Sequence, residues 1–431
     1  MKQLDRLYEF IANEEDARVC TDIPDAACRE VPGNFFRILL GQWLTKIADA
    51  LASSRIILPS LLAALGAPAF FTGLLVPLRE SGSLLPQLLI GGWVRHYPVR
   101  KWFFCAGSIA QGISALGLVA VALTLSGFAA GLGVTLMVLV LSLARGLSSV
   151  ASKDVLGKTI PKSRRGLLNG YSASAAGLVT IASGGLMLLA PEQNRLHGFS
   201  VGALCLLVAA GCWLGSALVF SRIEETEGAT DGGGNAWKTA VDSLGLLGSD
   251  PNFRLFVIVR SLMISSGLAA PYLVLLANRG EHSAAITLGL LVIVSGAAAL
   301  VGGPFWGRFA DISSRRVMQL GALLTALVCG LAAACAQTGN LPLWPMLVLY
   351  FALAVTHQGV RLGRKTYILD IAGGNKRTDY VSVSNSLIGV ILLLVGTLSA
   401  LLAQLNLSLV LLLLAAGSAL AALLANRLED A

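Results

Sequence analysis

The segment Gly307-Arg308-Phe309-Ala310-Asp311-Ile312-Ser313-Ser314-Arg315-Arg316 separates two long apolar runs, residues 284–306 and 317–337. Its frame is Gly307-x-x-x-Asp311-x-x-x-Arg315-Arg316. Glycine permits close helix contact. An acid at a helix end can pair with an arginine of the loop or of a neighbouring helix, and such a pair can latch one conformation and release another. A single occurrence reads as a solvated basic turn. This chain has an earlier counterpart, Gly92-x-x-x-His96-x-x-x-Arg100-Lys101, after the apolar run 69–93. Two copies at matched places favour the latch.

Composition says what surrounds these loops. Of 431 residues, 55% are hydrophobic and only 13% charged, and the mean hydropathy is +0.74. Soluble domains carry about 25% charged residues, so this chain could not cover a water-facing surface. Disorder and fibrous repeats are excluded as well. The net charge of +8 would suggest nucleic acid in a soluble protein. Here the basic residues sit between apolar runs and set topology instead. The seven cysteines form no close pair and five lie in apolar stretches, which fits packing. The acidic first 33 residues do not look like a cleavable signal.

A membrane helix needs about 20 mostly apolar residues. Twelve candidate spans follow: 37–64, 69–93, 102–125, 128–150, 167–190, 199–220, 253–277, 284–306, 317–337, 341–360, 382–403 and 405–425. The expected fold is all-α: twelve transmembrane helices in two pseudo-symmetric six-helix bundles. The expected divisions are a cytoplasmic acidic tail (1–33), an N-terminal bundle (34–221), a central loop (222–252), a C-terminal bundle (253–426) and a short C-terminal tail (427–431). Within the central loop, Trp237 to Leu247 reads either as a surface amphipathic helix or as plain linker. Loops after spans 2, 4, 8 and 10 hold Arg95, Arg100, Lys101, Lys153, Lys158, Lys162, Arg164, Arg165, Arg308, Arg315, Arg316, Arg361, Arg364, Lys365, Lys376 and Arg377. The opposite face holds only Arg195 and Arg279. By the positive-inside rule the first face is cytoplasmic, with both termini inside, in the cell's inner or plasma membrane.

The halves repeat at a spacing near 215 residues. Asn34-Phe35-Phe36-Arg37 corresponds to Asn252-Phe253-Arg254. Ser53-Ser54 precedes Pro59 as Ser265-Ser266 precedes Pro271. Gly73-Leu74-Leu75-Val76 recurs as Gly289-Leu290-Leu291-Val292, and Arg145 precedes Asp154 as Arg361 precedes Asp370. These last four residues join the candidate latch. Duplicated halves place a solute site at their interface, near the bilayer midplane.

From residue 34 to 425 the chain resembles the major facilitator superfamily of secondary transporters. The resemblance rests on the six-plus-six layout, the long central loop and the loop motif after spans 2 and 8. It implies two six-helix bundles, a central cavity, alternating access and no enzymatic activity. The second motif copy fits the family pattern at Gly307, Asp311, Arg315 and Arg316. The first has His96 where an acid is usual and Val99 where a glycine is usual. Either its latch depends on protonation of His96 or that residue is a tolerated headgroup-level histidine.

Ionisable residues deep in a bilayer cost roughly 2.5–3.5 kcal/mol each, so they carry a function or a partner. Asp49 and Glu80 are the two acids within the predicted span cores, beside Lys46, Arg55, Arg79 and Arg260. Lys46 and Asp49 share a helical face, as do Glu80, Ser83 and Gln87. Two readings stand together. Asp49 and Glu80 can be proton-coupling carboxylates, since desolvation favours their neutral forms, or static partners of Lys46, Arg55 and Arg79. The surplus of cations points to an anionic solute, with Arg suited to a planar carboxylate or phosphate. Lys46, Arg55, Arg79, Gln87 and Arg260 are the candidate substrate contacts. His357 and Arg361, four apart at the cytoplasmic end of span 10, and Ser382, Ser384, Asn385 and Ser386, which open span 11, either line a gate or make interhelical hydrogen bonds. Trp43 and Tyr272 either stack on solute or pack. No metal-ligand spacing, phosphate-binding loop or nucleophile elbow is present, so no cofactor is expected. The expected partners are a small solute, protons and lipid, with no nucleic acid, and the protein is expected to be a monomer. A membrane-embedded enzyme and a non-transporting receptor are the alternatives.

Overall fold

The computed structural model describes residues 30–87, 90, 93–94, 96–161, 168, 177–178, 180–185, 188, 201–228, 245–279, 284–310, 312–338, 342–371 and 377–429. Every regular element among them is an α-helix. In chain order these are α1 (Val31–Leu51), α2 (Ile57–Ala64), α3 (Ala69–Leu84), α4 (Lys101–Thr124), α5 (Gly127–Thr159), α6 (Val201–Ser221) and the short α7 (Leu246–Ser249). Then come α8 (Pro251–Leu262), α9 (Ser265–Ala277), α10 (Ala284–Ala310), α11 (Ser314–Thr338), α12 (Leu343–Ile371), α13 (Arg377–Leu405) and α14 (Leu407–Ala425).

Nine runs among the described residues are long and apolar enough to cross a membrane: α4, α5, α6, α8 with α9, and α10 to α14. Their outward faces are bare hydrocarbon, as at Ile113, Leu394 and Leu423, which are 61%, 67% and 71% exposed. Such faces need lipid rather than water. The chain is a multi-pass membrane protein. Expected spans 1 and 2 fall outside the nine: span 1 is broken between α1 and the 8-residue α2, with Lys46 and Asp49 in α1 and Arg55 in the break, and α3, which holds Arg79 and Glu80, is 16 residues long. Most of expected span 5, and most of the stretch from Trp237 to Leu247, lies outside the described residues.

Two expected spans are not continuous. Span 1, expected as one run over 37–64, begins at Val31 and breaks between Leu51 and Ile57; span 7 breaks at Met263 and Ile264. The repeated Ser-Ser…Pro motif accounts for both breaks. Ser53 Oγ accepts the Arg55 amide at 3.3 Å. Ser265 Oγ donates to the Leu262 carbonyl at 2.9 Å and Ser266 Oγ to the Met263 carbonyl at 3.0 Å. Serine hydroxyls thus compete with the helical ladder. Pro59 and Pro271 cannot donate to the residues four before them, Arg55 and Gly267.

The sequence repeat is also a repeat of contacts. Asn34 Nδ2 donates to the Glu224 carbonyl at 2.8 Å, and Asn34 Oδ1 accepts the Glu224 amide at 3.0 Å. Asn252 Oδ1 accepts the Glu429 amide at 3.4 Å and the Tyr367 hydroxyl at 3.2 Å. In each half, the asparagine opening the first helix pins the chain as it leaves the sixth. Phe35 and Phe253, the residues after these asparagines, are fully buried. Each belongs to its own half's base core: Phe35 with Phe104 and Phe220, Phe253 with Phe256 and Tyr380. A third core draws on both halves and closes the opposite end. Asp250 links the central segment to the second half. Its Oδ1 caps α8 at the Phe253 amide (2.9 Å), and its Oδ2 accepts the Tyr380 hydroxyl at 2.6 Å. That bond pushes the Tyr380 phenol up to about 12.

The halves meet chiefly where α3 lies along α13, with further contacts of α9 on α2 and α3. Small residues let the backbones approach. A Cβ built on Gly73 would lie 2.7 Å from the Ala400 Cα and 2.6 Å from the Tyr272 hydroxyl. Gly396 packs directly on the Pro77 ring, and Ser81 Oγ donates to the Gly389 carbonyl at 2.8 Å. On the other flank, a Cβ on Gly184 would lie 2.9 Å from the Gly289 carbonyl oxygen. Asn278 reaches Ser60 across the halves at 3.4 Å. These contacts seal the end carrying the turns at 65–68 and 278–279. The cavity lies on the other side of the seal, toward the motif loops.

Candidate functional site

Both helix breaks border one cavity of about 490 Å³. Lys46 and Asp49 come from α1, Ser53 to Arg55 from the first break, Arg79, Glu80 and Ser83 from α3, and Arg145 from α5. The second half supplies Met263, Ser266 and Gly267 at the second break, and His357, Arg361 and Arg364 from α12. Residues in broken helices have backbone groups released from the ladder, which membrane proteins tolerate only where protein or a polar cavity surrounds them.

The carboxylates are occupied. Asp49 Oδ1 accepts from Arg79 Nη2 at 2.9 Å and also from Arg145 Nη1, tying α1, α3 and α5 together. Glu80 Oε1 accepts from Arg55 Nη2 at 3.1 Å. The two acids differ in exposure: the Asp49 side chain is 21% exposed and that of Glu80 44%. The expected Lys46–Asp49 pair is not formed. Two guanidiniums, with fork geometry matched to a carboxylate, take Asp49 instead, and Lys46 lines the cavity with no hydrogen bond or ion pair among the described residues. The lining therefore holds Lys46, Arg55, Arg79, Arg145, Arg361 and Arg364 against Asp49 and Glu80. Among the described residues neither Arg361 nor Arg364 has a hydrogen-bond or ion-pair partner.

Two expected substrate contacts lie elsewhere. Gln87 is half-buried beyond the end of α3 and does not line the cavity. Arg260 is buried between α8 and α13, donating from Nη1 to Ser384 Oγ and from Nη2 to Asn385 Oδ1 at 2.7 Å. The polar residues of α13 thus make interhelical bonds at these two positions. Tyr272 is buried against Gly73, and Trp43 packs on the first half's base core.

Residues 255–429 match the family model described as Major Facilitator Superfamily. Among solved structures, the fold is similar to the nucleoside transporter NupG, with a TM-score of 0.69 and 12% identity over 92% of this chain and 100% of that one. It is similar to a D-xylose–proton symporter, with a TM-score of 0.68 and 13% identity over 92% and 97%. The inward-open xylose transporter XylE from E. coli gives a TM-score of 0.65 and 12% identity over 93% and 97%. The second half of the chain thus resembles the major facilitator superfamily, and the fold of the chain is similar to that of these transporters. A search by sequence among curated proteins gave no match.

In this chain the motif loops make contacts within their own halves. Arg100 donates to Asp154 Oδ1 at 2.6 Å. Asp154 also meets Lys158 at 3.3 Å. The fully buried Glu225 side chain accepts the amides of Arg100 and Lys101 and meets Lys158 Nζ at 3.0 Å. It thereby caps the N-terminus of α4, where a carboxylate is favoured. Lys101 Nζ reaches the Ile223 carbonyl at 2.7 Å. In the second half Arg315 donates to the Leu428 carbonyl at 3.1 Å. Each loop straps down the segment leaving its own bundle. His96 and Arg316 are exposed, and among the described residues no atom lies within 4 Å of a Cβ placed on Gly307, so that glycine marks no close helix contact among them. Gly92, Asp311 and the side chain of Asp370 lie outside the described residues.

Arg145 and Arg361, expected in the latch, stand in the cavity instead, and Arg364 was expected only as a topology signal. For Arg361 and Arg364 the physical reason is helix length: α12 runs to Ile371, well past the expected end at 360, and a hydropathy reading stops a span at its first charges. Arg145 lay inside the expected span 128–150 and was assigned to the latch only through its repeat with Arg361. The signal that could have found them is the matched pair Arg145…Asp154 and Arg361…Asp370, which sets both arginines at equivalent depth in the two bundles.

Proposed function

We propose that the chain is a secondary transporter that moves a small organic anion by alternating access, coupled to protons through Glu80. The carrying observation is the charge of the cavity: six cationic side chains against two carboxylates already engaged by Arg55, Arg79 and Arg145. Uncompensated charges in a low-dielectric space are costly, and a bound anion relieves that cost. The positive-inside rule puts the motif loops, and hence the cavity, on the cytoplasmic side of the seal. The described conformer then faces inward, in the inner or plasma membrane, with both termini cytoplasmic and the protein acting as a monomer.

Of the two acids, Glu80 suits proton coupling. It has one partner and twice the exposure of Asp49, which two guanidiniums hold. Protonation of Glu80 would release Arg55 to the solute, so proton and anion bind cooperatively. The test is uptake of a panel of labelled organic anions, cations and neutral solutes into proteoliposomes, with and without a pH gradient. Anion accumulation driven by external acid is the expected result. Glu80→Gln should abolish that accumulation while exchange of internal for external anion persists. Pumping by Glu80→Gln undiminished under a pH gradient would remove Glu80 from the coupling, and flux of cations alone would remove the anion.

A further inference from the structure

We propose that the cavity-facing side of α12, built from His357, Arg361 and Arg364, binds the solute directly and selects a ligand with at least two negative charges and a nearby hydroxyl. The proposal rests on the reading of the cavity as an anion pathway and specifies the anion.

The cavity is chemically lopsided. Both carboxylates of its described lining, Asp49 and Glu80, belong to the first half, and there they satisfy Arg55, Arg79 and Arg145. The second-half wall presents Arg361 and Arg364 with no carboxylate of its own. Positions 357, 361 and 364 recur at the spacing that puts side chains on one helical face. Two guanidiniums one turn apart repel each other, and each has a free fork for a carboxylate or phosphate. A single carboxylate on one fork leaves the other arginine uncompensated. Two anionic groups, or one doubly charged group spanning both forks, satisfy the pair.

His357 adds the second element. Its Nδ1 lies 3.0 Å from Ser266 Oγ, and the Ser266 hydroxyl hydrogen is directed to the Met263 carbonyl, also at 3.0 Å. Ser266 Oγ is therefore the acceptor toward His357, Nδ1 carries the hydrogen, and Nε2 of the neutral ring presents a lone pair. That Nε2 is buried with no hydrogen-bond partner among the described residues. A lone pair beside two arginines repels an anionic oxygen and accepts a hydroxyl. Gly267 closes the pocket here. A Cβ on it would lie 3.4 Å from His357 Cε1 and 3.8 Å from Arg55 Nη2, so the arginine bound to Glu80 borders the same space. The ligand so defined is a hydroxylated dicarboxylate or a hydroxyl-bearing phosphate ester. The shared chemistry is two negative charges with an adjacent donor.

The experiment is ligand binding to the purified full-length protein. Apparent Kd is measured by thermal stabilisation for butyrate, succinate, malate, glycerol phosphate and the neutral sugar xylose, each up to 10 mM. Succinate should bind at least tenfold more tightly than butyrate, and malate more tightly than succinate. Glycerol phosphate against malate distinguishes the phosphate from the dicarboxylate ligand. Arg361→Gln and Arg364→Gln should each weaken malate binding at least tenfold. His357→Phe should erase the preference for malate over succinate, with succinate binding retained as evidence that this variant is folded. Equal binding of butyrate and succinate overturns the two-charge ligand while leaving anion transport in place. Binding of xylose alone overturns both, as does the absence of stabilisation by any of the anions.

Discussion

Asp49 shows how one buried carboxylate can organise a bundle. Three helices converge on it through Arg79 and Arg145, and removing its charge leaves two guanidiniums without a counterion. Breaking a buried pair from one side costs about 3–5 kcal/mol. Asp49→Asn should therefore lower the thermal midpoint of the purified protein by several degrees, with part of the loss recovered in the Asp49→Asn, Arg145→Gln double variant. A midpoint unchanged by the single substitution would mean that Asp49 holds nothing together. At this scale the sequence was half legible. Asp49, Glu80, Lys46, Arg55 and Arg79 stood out because a charge inside an apolar run is visible without coordinates. The pairing was not visible, because a carboxylate chooses among cations on three helices and sequence spacing reports only those on its own.

At the scale of the helices, the repeated Ser-Ser…Pro motif marks where both halves break, and both breaks border the cavity. The motif was legible as a repeat, but its consequence required knowing where each serine hydroxyl is directed. The glycine contacts between α3 and α13 set how closely the halves approach. Gly396 is pressed on Pro77, so any side chain there must separate the two helices. Overpacking of this kind costs about 1–3 kcal/mol. Gly396→Val should destabilise this conformer by that amount and raise the reactivity of a cysteine introduced at Ser81. Wild-type stability together with unchanged reactivity would show that the helices do not meet there. Asn34 and Asn252 give a different lesson. Their repetition was plain, yet their partners, the backbone of Glu224 and Glu429, lie 190 and 177 residues away in sequence, where each half ends.

For the whole molecule, composition, span counting and the duplicated motif were enough to place the fold, because lipid leaves a chain so few ways to satisfy its backbone. They also led to the expectation of a solute site between the halves, where the structure has its cavity. They did not reveal how the charge is divided, since Arg361 and Arg364 sit where α12 outruns its apolar stretch and Arg145 was read only as a latch residue. That division is central: one wall holds both carboxylates, each in an ion pair, and the other presents two arginines with no partner among the described residues. The most direct test is counterflow in proteoliposomes, with labelled anions, cations and neutral solutes compared in wild type and in the Arg361→Gln, Arg364→Gln double variant. The account predicts saturable anion exchange in wild type and at least a hundredfold loss in the double variant. Flux confined to neutral or cationic solutes, or anion flux equal in both proteins, would contradict it.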